Sequence, residues 1–192
     1  MRFPAELRRR VAMVVAVAER YLDRPLRSAL DVGCGEGSWG VELRRLRPRL
    51  RYLGLDPSEY AVRRFGARRH LVAGTFADLP ALAPRQPVDL VLCVDVLHYL
   101  DDTELDAGLP ALAAATGGLA YLEVLSAEEE IVGDLAGLRR RSAAWWRRRF
   151  AAVGLAACGS NSYLSATLAD RASALELVGE GSPPAAGPGS TR

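Results

Sequence analysis

The sequence predicts a single α/β domain built on a mostly parallel sheet that helices cover on both faces. Short apolar runs alternate with helical stretches through the middle of the chain. Those runs are continuously apolar, as strands buried on both faces are, instead of alternating with polar residues. At 192 residues, 49% of them hydrophobic, the chain is long enough for one real core.

The elements follow in order. Arg8-Arg9-Arg10 followed by the apolar run Val11–Ala18 imitates a short signal peptide. Leu7, Val11, Val14, Val15, Ala18 and Leu22 nevertheless fall on one helical face, with Glu19 and Arg20 on the other. Residues 1–24 therefore read as an amphipathic helix packed on the sheet. No apolar run approaches the ~20 residues needed to span a bilayer. Strands are predicted at 28–32, 51–55, 70–73, 88–94 and 119–125, with helices near 38–47, 58–66 and 103–115. Residues 126–137 are acidic, carry two glycines and suggest a loop or short helix over the sheet edge. A helix through Trp145, Trp146 and Phe150 follows. Residues 155–159 and 163–169 flank the turn residues Ser160, Asn161 and Ser162, which predicts an antiparallel hairpin. The domain spans 1–178, and the Gly/Pro/Ser/Ala-rich stretch 179–192 is predicted to be a disordered tail.

Composition excludes more than it selects. A formal charge of +2 announces neither a nucleic-acid nor a membrane partner. All 25 basic residues are Arg, and the triplets 8–10, 139–141 and 147–149 read as solvated helix faces in preference to an RNA surface. Cys34, Cys93 and Cys158 are far apart and odd in number, with no C-x-x-C pair. Neither a disulfide scaffold nor a metal site follows, and a reducing, cytoplasmic compartment is expected.

The chemistry concentrates at Asp31-Val32-Gly33-Cys34-Gly35-Glu36-Gly37, where the first strand runs into a helix beginning near Ser38. Glycines let the chain turn sharply and let a ligand approach its N–H groups, and the helix N-terminus adds partial positive charge. In an open parallel sheet, nucleotide-like ligands dock at this crossover. A literal G-x-G-x-x-G at Gly35, Gly37 and Gly40 is weak on its own and would suggest a dinucleotide. Asp31 at the mouth of the turn argues otherwise: a carboxylate repels a pyrophosphate but suits the ammonium of a bound amino acid. S-adenosylmethionine carries that ammonium and no phosphate. Asp56, at the end of the second strand and 19 residues after Gly37, suits both hydroxyls of a ribose.

With these residues in place, the chain resembles the class I S-adenosylmethionine-dependent methyltransferases. Their first motif resembles Leu30–Gly37, their second Gly54-Leu55-Asp56-Pro57-Ser58, and their fourth Asp89–Leu100. Gly117-Gly118-Leu119 resembles their turn at strand five. The similarity covers roughly residues 20–170. It implies a Rossmann-like, doubly wound seven-stranded sheet with the last hairpin inserted antiparallel at one edge. It also implies that Asp31, Gly33 and Gly35 surround the methionine part, that Asp56 holds the ribose, and that Cys93 reaches the cofactor through its backbone carbonyl. One departure stands out: where many members have Asp after the glycine of the third motif, Gly74 is followed by Thr75, Phe76, Ala77 and Asp78. Thr75 or Asp78 then substitutes, with Phe76 over the adenine face.

A sulfonium methyl is already electrophilic, so the protein mainly aligns a nucleophile and excludes water, with a base only where the acceptor must lose a proton. His98 and Tyr99 follow the fourth strand. His98 reads either as a general base or as a packing residue at a helix start. Asp95 and Tyr99 are candidates to orient the acceptor. Trp146, Phe150 and Val153 share a core face, which leaves Trp145 to wall an acceptor pocket or to lie on the surface. Tyr163, at the start of the final strand, is a further candidate on the acceptor side. No Asn-Pro-Pro-Tyr element and no Pro-Cys nucleophile occurs. By elimination the expected reaction is methyl transfer to an O or N atom of a small molecule, yielding S-adenosylhomocysteine, by a monomer or homodimer. The competing readings are a methyltransferase acting on RNA or protein, a non-methylating S-adenosylmethionine-binding module, and an NAD-dependent oxidoreductase.

Overall fold

The computed structural model describes residues 4–130 and 136–173. Helix α1 (Pro4–Leu22) leads into β1 (Ser28–Val32), α2 (Ser38–Leu46), β2 (Arg51–Asp56), α3 (Glu59–Arg69) and β3 (Leu71–Ala73). A 3-10 turn (Phe76–Asp78) and the short α4 (Leu79–Leu82) precede β4 (Val88–Val94). A second 3-10 turn (Leu97–Tyr99), α5 (Asp102–Ala115), β5 (Thr116–Glu123), α6 (Ala143–Ala152), β6 (Ala156–Ala157) and β7 (Ser162–Leu164) complete the sheet. The seven strands lie in the order β3-β2-β1-β4-β5-β7-β6. β1 to β5 pair in parallel, and β7 is antiparallel to both β5 and β6. This is the doubly wound architecture that the apolar runs predict.

The sheet divides the core in two. On one face Val11, Val14 and Ala18 of α1 are fully buried and join Leu43, Leu90, Leu92, Leu119 and Tyr121. The apolar stripe read from the N-terminal sequence is thus the face that docks. On the other face Leu105, Leu109 and Leu112 of α5 and Trp146 and Phe150 of α6 pack on Leu30, Val91, Ala120 and Leu122. Alternate residues of β4 and β5 serve opposite clusters, as a period of two requires. Among the described residues no helix is long and apolar enough to cross a membrane.

Several boundaries shift for local reasons. The third strand starts at Leu71, because His70 takes a left-handed conformation (φ 59°) and closes α3 by donating its N–H to Gly66 O. The fifth strand runs 116–123 instead of 119–125. At its start Gly118 passes so close to β4 that a Cβ would stand 2.4 Å from Asp89 O. At its end the Leu125 N–H leaves the ladder for His98 Nδ1, at 3.2 Å. The hairpin is shorter than predicted, and Gly159, Ser160 and Asn161, all at positive φ, make its turn. Helix α6 is started by Ser142, whose Oγ accepts the Trp145 N–H at 3.1 Å. The stretch 179–192 lies outside the described residues.

Candidate active site

Strand order reverses between β1 and β4, so the chain leaves their carboxyl ends in opposite directions and opens a crevice there. The glycine turn sits at that point. Gly33 N–H and Cys34 N–H both donate to Leu55 O (2.8 and 3.1 Å), and Gly37 N–H donates back to Cys34 O at 2.9 Å. Gly33, Gly35 and Gly37 all have positive φ (74°, 53° and 75°). A Cβ on Gly33 would lie 2.2 Å from Val96 Cγ2, so the turn rests directly on the residue two places beyond β4. At Gly35 a Cβ would meet nothing within 4 Å. The backbone there faces open space, as a cradle for a ligand must.

Two carboxylates flank this cradle. Asp31 is buried (2% exposed) and accepts a 2.6 Å hydrogen bond from the Tyr52 hydroxyl. Burial pushes its carboxyl up to about 7, the Tyr52 hydrogen bond opposes that, and the nearby charge of Asp56 adds to it. Tyr52 in turn lies against Gly40, where a Cβ would come within 2.5 Å of the ring, and under the Arg44 guanidinium at 5.4 Å. Gly40, the last glycine of the apparent dinucleotide string, therefore makes room for the tyrosine that holds Asp31. The sequence reading missed Tyr52; its one signal was a glycine in the first turn of a helix, where a better helix former is usual. Asp56, also buried, is oriented by Gly35 N–H (2.6 Å) and Ser58 N–H (2.9 Å). Its two oxygens keep further lone pairs toward the crevice.

On the opposite wall, Cys93 is fully buried in β4, and burial raises its thiol far above the usual range. Asp95 follows in a left-handed conformation (φ 59°), with its N–H on Glu123 O at 3.1 Å. This continues the pairing of β4 with β5 one residue past the end of β4. His98 is fully buried. Its Nδ1 accepts the Leu125 N–H, and burial lowers its pKa against the opposing pull of Asp95 and Glu129. The neutral ring then carries its proton on Nε2 and presents a donor, not the lone pair that a general base needs. Tyr99 stacks beside it at 4.4 Å and is 42% exposed.

The remaining candidates divide. Trp145 is half-buried, edge-on to Trp146 and covered by the guanidinium groups of Arg141 (4.7 Å) and Arg149 (5.2 Å). Trp146 and Phe150 are core, as their spacing indicates. Tyr163 pairs with Ala120, three residues short of the end of β5, and packs edge-on against Phe150 at 4.9 Å. With Arg147, Leu155 and Ala157 it lines a separate groove of about 330 Å³ at the sheet edge, away from the crevice. Phe76 is buried against Gly108 of α5, whose Cβ would come within 2.2 Å of its ring. The ring fills the space between α5 and the sheet. Thr75 and Asp78 bind each other (2.7 and 2.8 Å) as the cap of the 3-10 turn. Among the described residues no cluster of His, Cys, Asp and Glu could hold a metal ion.

A family model described as a methyltransferase domain matches residues 30–116, the stretch from the first motif to the start of β5. That stretch is somewhat under half of the chain, which in its motifs and fold is similar to the Rossmann-like, class I methyltransferases. Solved structures agree in fold. A SAM-dependent methyltransferase from Archaeoglobus fulgidus superposes at a TM-score of 0.57 with 16% identity, covering 76% of this chain and 69% of its own. An amino pentose methyltransferase from Micromonospora echinaspora, solved with SAM, gives 0.62 and 18%, covering 82% and 90%. An O-methyltransferase of neocarzinostatin biosynthesis, solved with S-adenosyl-L-homocysteine and 1,4-dihydroxy-2-naphthoic acid, gives 0.56 and 23%. This methyltransferase covers 80% of its own length there but only 55% of that chain. No curated protein matches by sequence. The cofactor of the family is S-adenosylmethionine, and the open cradle over Gly35 beside two buried carboxylates fits it.

Proposed function

We propose that this methyltransferase transfers the methyl group of S-adenosylmethionine to an oxygen or nitrogen atom of a small molecule. The observation that carries the reading is Asp31: a buried carboxylate, held by one neutral hydroxyl, at the mouth of the glycine turn. A buried carboxylate in want of a cation suits an α-ammonium and opposes a pyrophosphate. In this reading Gly33 and Gly35 receive the methionine part with Asp31. Asp56 accepts from the ribose hydroxyls, and the Cys93 carbonyl contributes from β4. When bound, the cofactor supplies an electrophilic methyl and departs as a neutral thioether. Asp95, Tyr99 and Trp145 then border the space where an acceptor is aligned and water excluded.

The small-molecule reading is supported by where the arginines go. Arg8 pairs with Glu42, Arg10 with Glu123, Arg141 with Asp102 and Arg149 with Asp106. Helices α1 and α6 lie on opposite faces of the sheet, so their triplets do not converge on one nucleic-acid track. The aromatic acid and the amino sugar of the two structural neighbours belong to the same size class.

Calorimetry against S-adenosylmethionine, S-adenosylhomocysteine and NAD tests the cofactor, with binding expected for the first two only. A screen of tritiated S-adenosylmethionine against pooled small molecules, tRNA and peptides tests the acceptor. Label appearing only in tRNA or peptide would overturn the small-molecule reading.

A further inference from the structure

Among the described residues, three buried side-chain donors have no hydrogen-bond partner: His98 Nε2, Arg141 Nη1 and Trp146 Nε1. Buried donors are nearly always satisfied, so three orphans in one region call for an explanation. They are neighbours through a chain of contacts. Arg139 N–H donates to His98 O at 2.9 Å, and Arg141 Nη2 donates to Leu100 O at 2.8 Å. The Arg141 guanidinium lies 5.4 Å from the Trp146 ring. Arg141 thus adjoins both the end of the 3-10 turn that carries His98 and the Trp146 ring.

All three atoms are of one kind. Arginine and the indole N–H donate only, and His98 is left as a donor because its Nδ1 already accepts from Leu125 N–H. Two nearby carboxylates are engaged elsewhere, Asp102 by Arg141 and Glu129 by the Ser126 N–H at 2.6 Å. Asp95 and Glu129 both act on the His98 ring, yet burial outweighs them and the ring stays neutral.

We infer that this donor set recognises an acidic methyl acceptor, one bearing a carboxylate or phenolate that Trp146, His98 and Arg141 bind together. The inference rests on the methyltransferase reading and narrows its substrate to an anion. Anionic oxygens offer several lone pairs and make charge-assisted bonds, whereas an ammonium group would leave all three donor atoms unsatisfied. Residues 127 and 141 are tied by Ala127 N–H to Arg141 O (2.8 Å), and Arg140 is bonded to Ala127 O. The exposed faces of Tyr99 and Trp145 flank the approach.

The test uses the full chain loaded with S-adenosylhomocysteine and three probes of one shape: 1-naphthoate, 1-naphthamide and 1-naphthylmethylammonium. Naphthoate is expected to bind at least about tenfold more tightly than the ammonium probe. Trp146→Phe keeps the ring stack on Phe150 and deletes the indole N–H, and His98→Asn keeps an acceptor for Leu125 N–H and deletes Nε2. Each should weaken naphthoate about tenfold and leave the ammonium probe unchanged. Should His98→Asn fail to fold, Trp146→Phe alone decides. The Nε1–H and Nε2–H signals in nitrogen-15 NMR should move on naphthoate addition. The inference is overturned by equal or tighter ammonium binding, by no naphthoate binding at millimolar concentration, or by unmoved N–H signals. Failure to bind S-adenosylhomocysteine at all would instead remove the methyltransferase reading on which it stands.

Discussion

Lowering the pH from 7 to 5.5 should weaken S-adenosylmethionine binding about fifteenfold, and Asp31→Asn should abolish that dependence. Asp31 is buried, and that burial lifts its carboxyl to about 7, with the Tyr52 hydroxyl holding it down and Asp56 adding to the rise. Only the ionised form attracts an ammonium. The competent fraction is about one half at pH 7 and about 3% at pH 5.5, and apparent affinity scales with it. An α-ammonium titrates near ~8, so the ligand stays charged across the window and the change belongs to the protein. Calorimetry at the two pH values reads the effect directly, and adenosine, which lacks the ammonium, should show none of it. Tyr52→Phe removes a hydrogen bond that lowers the Asp31 pKa, so its midpoint should move to higher pH. The same shift has a stability consequence of opposite sense. The folded state binds more protons than the unfolded one between the usual carboxylate range and pH 7, so stability of the free protein falls as pH rises through that interval. Asp31→Asn should then stabilise the ligand-free protein at pH 8, by at most about 4 kcal/mol. A wild-type affinity that is flat from pH 5.5 to 7 would refute the assignment of Asp31 to the ammonium.

Three further expectations follow from packing and linkage. Gly33→Ala places a methyl 2.2 Å from Val96 Cγ2 at a φ of 74°, and should cost about 2 kcal/mol or more in denaturant unfolding while weakening the cofactor. Val96→Ala in the same chain should restore part of the stability, and no recovery would mean the backbone, not the clash, sets the cost. Gly108→Ala drives a methyl into the Phe76 ring and should cost about 1–3 kcal/mol, relieved by Phe76→Leu, with cofactor affinity unchanged if the ring is purely core. For Asp89, burial pushes the carboxyl up, but Arg24 (2.7 and 2.9 Å) and the Arg27 N–H (2.6 Å) outweigh it and hold the pKa below its usual value. Its contribution is present above the unfolded-state pKa and is lost as pH falls through the folded one. Acid unfolding of Asp89→Asn should accordingly show a shallower loss of stability at low pH than the wild type.

What the sequence determined by itself was the architecture and the crossover at which the cofactor is proposed to dock. Continuous apolar runs and amphipathic helices depend on local periodicity, and Asp31, Gly33 and Asp56 are set where strands end, so chain order alone places them. The same holds for the hairpin, whose turn residues carry their conformational preference locally. Tertiary structure decided whatever depends on which residues meet across elements. Gly40 completes a weak dinucleotide-like string in the sequence, and only the fold shows that Tyr52, brought in by β2, needs its space. That Phe76 packs against Gly108 of α5 is likewise set by the fold. His98 read either as a base or as a packing residue until the end of β5 turned Leu125 N–H onto its Nδ1 and fixed the remaining nitrogen as a donor. Those partners stand 12, 32 and 27 residues away along the chain. A helical or strand period carries no information over such spans, because the contact is set by how the layers stack and not by the local backbone.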